Sequence, residues 1–155
     1  MKQESPINRQ AALSDPERRA LRLVAALMIP ADAEYAVPGA DDDAIFADVV
    51  RSLGRDADAV RWALRRLDEL AGGALADRPP EERLAATQRL HETDAAHTTV
   101  LVNVIVRCYY RDDRVMRSLG MEPRAPFPKG FEVEQGDWSL LEPVRARGRI
   151  YRSTS

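Results

Sequence analysis

The chain has 155 residues, 45% of them apolar and 31% charged, enough for one domain with a modest core. Its formal net charge of −2 lacks the clustered basic surface that nucleic-acid binding uses, and its cations are nearly all arginine, with Lys2 and Lys129 the only lysines. One cysteine, Cys108, excludes an intrachain disulfide, and no stretch approaches the roughly 18 unbroken apolar residues of a membrane span.

Residues 1–13 read as a flexible polar leader without the apolar run of an export signal, so the chain as encoded is expected in the cytoplasm. Ser14-Asp15-Pro16-Glu17 then starts a helix: a capping residue, a proline in the first turn and acid near the positive end. Leu21, Val24, Leu27 and Met28 form one apolar face, and Pro30 closes it. A connection stiffened by Pro30 and Pro38 follows. Asp41-Asp42-Asp43 caps a second helix with Ile45, Phe46, Val49, Val50 and Leu53 inward. Carboxylates at a helix start explain this triplet better than a calcium loop, which needs alternating ligands and a closing glutamate.

The third helix spans about 56–71, with Val60, Leu64 and Leu67 inward and Gly72-Gly73 as terminator. Trp62 lies off that stripe and either covers a neighbouring helix or faces a partner. A fourth helix from Pro79-Pro80 carries Leu84, Leu90 and His91 on a thin apolar face. Residues 97–110 are apolar on every side and β-rich in composition. Length and the lack of flanking turns favour a fully buried central helix capped by Thr93 or Asp94, with Asn103 inside needing hydrogen-bond partners. A short helix through Val115, Met116 and Leu119 ends at Gly120. The expected fold is all-α: one helical domain of five or six helices over 14–120, then an irregular arm over 121–155 whose prolines oppose regular structure.

The search for chemistry finds little. His91 and His97 are six residues apart, not the four that set two imidazoles on one helix face, and no third ligand is evident. Cys108 in an apolar helix reads as a buried, inert thiol. No phosphate loop or nucleophile elbow is present in the sequence. Neither catalytic, cofactor-binding nor metal-binding residues are assigned, and the chain is not expected to be an enzyme by itself.

The arm holds four of the nine aromatic residues, Phe127, Phe131, Trp138 and Tyr151, interleaved with Arg145, Arg147, Arg149 and Arg152. Such a composition suits interface anchors, although an arm wrapped on its own helices would use the same residues. Phe127, Phe131, Trp138, Arg145 and Arg147 are the leading candidates for a partner interface, with Trp62 and Tyr110 behind them. Arginine forks there would meet an acidic patch on the partner.

Three stretches resemble the small-subunit (subunit 3) family of gluconate 2-dehydrogenase. They are Leu27-Met28-Ile29-Pro30 with Val37-Pro38-Gly39-Ala40; Tyr109-Tyr110-Arg111-Asp112-Asp113-Arg114-Val115 with Leu119-Gly120-Met121-Glu122-Pro123; and Phe127-Pro128-Lys129-Gly130 with Trp138-Ser139-Leu140-Leu141-Glu142-Pro143-Val144-Arg145-Ala146-Arg147-Gly148. The resemblance implies a non-catalytic subunit that binds and stabilises a large flavoprotein oxidoreductase of the glucose–methanol–choline class. FAD would sit in that partner, and a cytochrome or other electron-acceptor subunit could join. It also implies export with the partner, which would place the chain in the periplasm. The rival expectation is a self-contained helical adaptor or ligand-binding module without a flavoprotein.

Overall fold

The computed structural model describes residues 13–125, 127, 129–130 and 134–148, and these contain α-helices, 3-10 turns and no strand. The chain divides into two units, one ending at Pro123 and one beginning at Arg124. The first holds α1 (Asp15–Met28), α2 (Asp43–Arg51), α3 (Ala57–Leu70), α4 (Pro80–Thr93), α5 (Ala95–Tyr109) and α6 (Asp113–Ser118).

Local chemistry sets the helix starts. At α1 the Glu17 amide donates to the Ser14 hydroxyl at 3.4 Å, and the Ser14 amide donates to the Glu17 carboxylate at 2.7 Å, a reciprocal capping box. Asp42 opens α2 by accepting from the Ala44 and Ile45 amides. Asp94 both ends α4 and caps α5, accepting the His97 amide at 3.2 Å, so the two helices meet at one residue. Between Thr93 and Asp94, the carboxylate is the cap. At the far end of α6, Gly120 takes φ +74°, where a Cβ would be strained, and Met121 donates back to the Met116 carbonyl at 2.9 Å.

The core forms around α3, whose Val60, Ala63, Leu64 and Leu67 are all essentially inaccessible. It packs against α1 (Leu21, Val24), α4 (Ala86, Leu90) and α5 (Leu101, Val104, Ile105), while α2 adds Ile45, Phe46 and Val49. Leu13, counted with the leader by sequence, is 5% exposed and belongs to this core. The rest of the leader lies outside the described residues.

Helix α5 departs from the sequence reading. It is half-buried rather than fully buried, because its neighbours α2, α3 and α4 leave one side open. Val102 is 37% exposed and Asn103 is exposed, so the Asn103 amide is open to solvent and no buried partner is required. Leu84 of α4, expected inward, is likewise half-exposed.

The α1–α2 connection is compact. The Ala40 amide donates to the Ile29 carbonyl at 2.8 Å, and Asp32 and Val37 exchange two backbone bonds. Gly39 sits inside this crossing: a Cβ there would lie 2.9 Å from the Ala31 nitrogen and 3.2 Å from the Ile29 carbonyl oxygen. The Asp41 carboxylate lies closer still and can rotate away, but these two atoms are backbone and cannot. Gly39→Ala is therefore expected to destabilise the protein by about 1–3 kcal/mol, the usual cost of overpacking, read as a lower urea midpoint at unchanged m-value.

In the second unit, Trp138–Leu141 form a 3-10 turn leading into one turn of helix, α7 (Glu142–Ala146). Pro143 lies in the first turn of α7, where its missing N–H would have had no helical partner.

Candidate interaction surface

Three surface features of the first unit stand apart from the core. The first is a cluster of arginine–aspartate contacts joining α2 to α5 and α6. Arg114 holds Asp42 through both nitrogens, at 2.7 and 3.1 Å, and also reaches Asp112 at 3.0 Å. Arg111 pairs with Asp48 at 2.5 Å, and Arg107 donates to the Ser52 carbonyl at 2.6 Å. The Tyr109-Tyr110-Arg111-Asp112-Asp113-Arg114 motif thus packs Tyr109 inward and spends its arginines on α2.

Hydrogen bonds from Arg114 hold the Asp42 and Asp112 carboxyls below the usual carboxylate range. Burial pushes the Asp48 carboxyl up, but hydrogen bonds from Arg51 and Arg111 outweigh it and leave it lowered as well. These carboxylates stay ionised and act as acceptors. Beneath them a cleft of about 310 Å³ is lined by Asp48, Arg111, Asp112 and the buried Cys108. Among the described residues no group of three His, Cys, Asp or Glu side chains is placed to hold a metal ion.

The second feature is an apolar cleft of about 150 Å³ between the end of α1, α4 and α5. Val24, Leu67, Leu90 and Leu101 form its buried floor, and Leu27, Leu84 and Val102 stand exposed at its rim at 39%, 50% and 37%. No charged residue lines it. Its two hydroxyls are already used, Thr87 donating to the Leu84 carbonyl and Thr98 to the Asp94 carbonyl. Sequence reasoning missed this surface because Leu84 and Val102 fit apolar stripes that looked inward. Only the separation of α1, α4 and α5 leaves their side chains uncovered.

The third is the ring stack of Trp62 on His97, centroids 3.8 Å apart and planes 21° from parallel. The His97 Nδ1 lies 2.8 Å from the Asp94 carboxylate, which orients the imidazole. Trp62 therefore covers the neighbouring helix α5, one of the two roles its position off the α3 stripe allowed.

Among the other sequence candidates, Tyr110 is 53% exposed and stands edge-on to Tyr109 at 5.3 Å. In the second unit Phe127 is 87% and Trp138 59% exposed, alongside exposed Leu140 and Val144, while Arg145 and Arg147 are exposed on and just after α7. Phe131, Tyr151, Arg149 and Arg152 lie outside the described residues. Among the described residues, no helix is long and apolar enough to cross a membrane.

No family model, no curated protein and no solved structure matches the chain significantly. The likeness to the gluconate 2-dehydrogenase small subunits rests on its short motifs alone.

The arginine–aspartate contacts carry a pH dependence with a definite sign. Carboxyls lowered in the folded state contribute stability that is complete above their unfolded value, about 4. That stability is lost as pH falls through the folded values. Urea midpoints should therefore drop on acidification below about pH 4. Asp42→Ala, which removes both a cap and a two-pronged arginine contact, should cost about 1–2 kcal/mol near neutrality and flatten that acid limb.

Proposed function

We propose that this chain is a non-catalytic small subunit that binds and stabilises a FAD-dependent sugar or alcohol oxidoreductase. One observation carries the partner-binding part: exposed apolar side chains gather around an uncharged cleft in a chain that is 31% charged. Apolar surface of this kind gains free energy only when something covers it. The second unit adds exposed Phe127, Leu140 and Val144 and, in Trp138, a residue type enriched among interface hot spots. The flavoprotein identity of the partner is supported by the motif resemblance, strongest over 127–148. In this reading hydride and electron transfer belong to the partner's FAD, and this chain contributes binding area.

The apolar cleft also favours a second reading, a self-contained module that takes a small apolar ligand. A cleft of about 150 Å³ walled by apolar side chains has room for a molecule the size of benzene.

Co-expression with the neighbouring coding sequence separates the two. The first reading expects a yellow complex that copurifies and whose flavoprotein loses thermal stability when this chain is omitted. A colourless, monodisperse monomer with no bound chain overturns it. Within the complex, Trp138→Ala is expected to weaken binding by about 2 kcal/mol or more, the scale of a buried aromatic anchor, measured by calorimetry. Truncation after Gly120 is expected to abolish the complex. Full affinity in the truncated chain would show that the second unit is no part of the interface.

A further inference from the structure

The walls of the apolar cleft are not equally held. Helices α3 and α5 each put five side chains out of water, whereas α4, of similar length, buries only Ala86 and Leu90. Among the described residues, none of the half-buried apolar side chains that extend the core comes from α4. Leu84, the other leucine of α4 beside Leu90, stands half-exposed at the cleft mouth. Polar ties from the middle of α4 to its neighbours are weak. Arg89 reaches the Leu70 carbonyl at 3.5 Å, and the Thr98 hydroxyl lies 3.3 Å from the Leu90 carbonyl but closer, at 2.9 Å, to that of Asp94. Both ends, by contrast, are fixed. Before α4, Leu75 is fully buried with its amide on the Asp68 carboxylate at 2.8 Å, and Arg78 bonds the Gly72 carbonyl. After α4, Asp94 takes the His97 amide at 3.2 Å and the His97 Nδ1 at 2.8 Å.

We propose that α4 is a movable wall of the apolar cleft, a strap pinned at 75–78 and at Asp94 that lifts off α3 and α5 while the rest of the first unit stays folded. A segment that buries few apolar side chains opens at lower cost than the whole domain. Lifting carries Leu84 and Leu90 away and uncovers Leu67 and Leu101, so the cleft widens into a groove bounded by α1, α3 and α5. Closed, the strap keeps that floor out of water. An occupant that needs the wide groove binds only the lifted form, so its apparent affinity falls by the fraction of molecules that are lifted. That consequence rests on the binding role proposed for the cleft; the motion itself does not.

Native-state hydrogen exchange of the full chain tests the motion without any partner, read by mass spectrometry across urea concentrations below the unfolding midpoint. A lone helix as short as α4 is marginal in water, so its amides exchange whenever the strap lifts. The hydrogen-bonded amides of α4 are expected to exchange about tenfold faster than those of α3 and α5, or more. Their exchange should also depend less on urea, because a local opening exposes less surface than global unfolding. A second arm ties the strap down. Leu27→Cys/Leu84→Cys places thiols on the α1 and α4 rims of the cleft, and a bifunctional maleimide joins them, with Cys108 buried away from the reagent. The crosslink should slow α4 exchange towards that of α3, while the same variant left unjoined keeps the fast exchange. Equal rates and equal urea dependence across α3, α4 and α5 in the wild type would overturn the proposal, as would α4 exchange that the crosslink leaves unchanged. Failure to find a flavoprotein complex would remove the cleft's assigned role and leave these exchange results standing.

Discussion

The first unit depends on one apolar stripe, Val60, Ala63, Leu64 and Leu67 of α3. Three helices, α1, α4 and α5, rest on it, so its side chains are out of water on every side. Burying a leucine contributes roughly 1.5–3 kcal/mol, whereas an exposed ion pair contributes at most about 1. The arginine–carboxylate pairs among the described residues are mostly half-exposed, so the stripe and not the charges holds the fold. A polar side chain at Leu64 or Leu67 would face all the surrounding helices at once.

The charges decide something else. Arg111 and Arg114 reach back to Asp48 and Asp42 across more than sixty residues of chain, fixing where the end of α5 and the start of α6 lie against α2. Hydrophobic stripes tolerate a helix sliding or rotating by a fraction of a turn. A two-pronged arginine–carboxylate contact does not, because both nitrogens must meet both oxygens. Asp42 serves at once as the cap of α2 and as the seat of Arg114, so helix start and helix placement are one event.

Satisfying that core leaves two surfaces of opposite character. Between α1, α4 and α5 the helices diverge enough to leave an uncharged cleft, with every hydroxyl at its wall already bonded to backbone. Along the outer face of α1 the reverse holds, with three arginines facing outward and Asp43 paired to only one of them. An apolar cleft supplies affinity through desolvation, while an arginine face supplies orientation and rate of encounter.

Helix starts, helix order and the all-α class were legible in the sequence because they follow from local chemistry. Ser14 with Glu17, Asp42, and Asp112 before Asp113 are caps whose partners lie within three residues, and the α3 stripe repeats at helical spacing. Position in three dimensions was not legible. Apolar periodicity places a residue on a face without saying whether another helix reaches that face, which is why Leu84 and Val102 read as core and are half-exposed. The same limit applied to Asn103, given a buried site by its apolar neighbours in sequence and exposed by the gap beside α5. Spacing could not pair Arg114 with Asp42 or bring Trp62 onto His97, since those contacts exist only once α2, α3 and α5 have packed. The sequence by itself determined what each helix is; the tertiary structure decided which of their faces remain uncovered, because exposure is a property of neighbours and not of the segment.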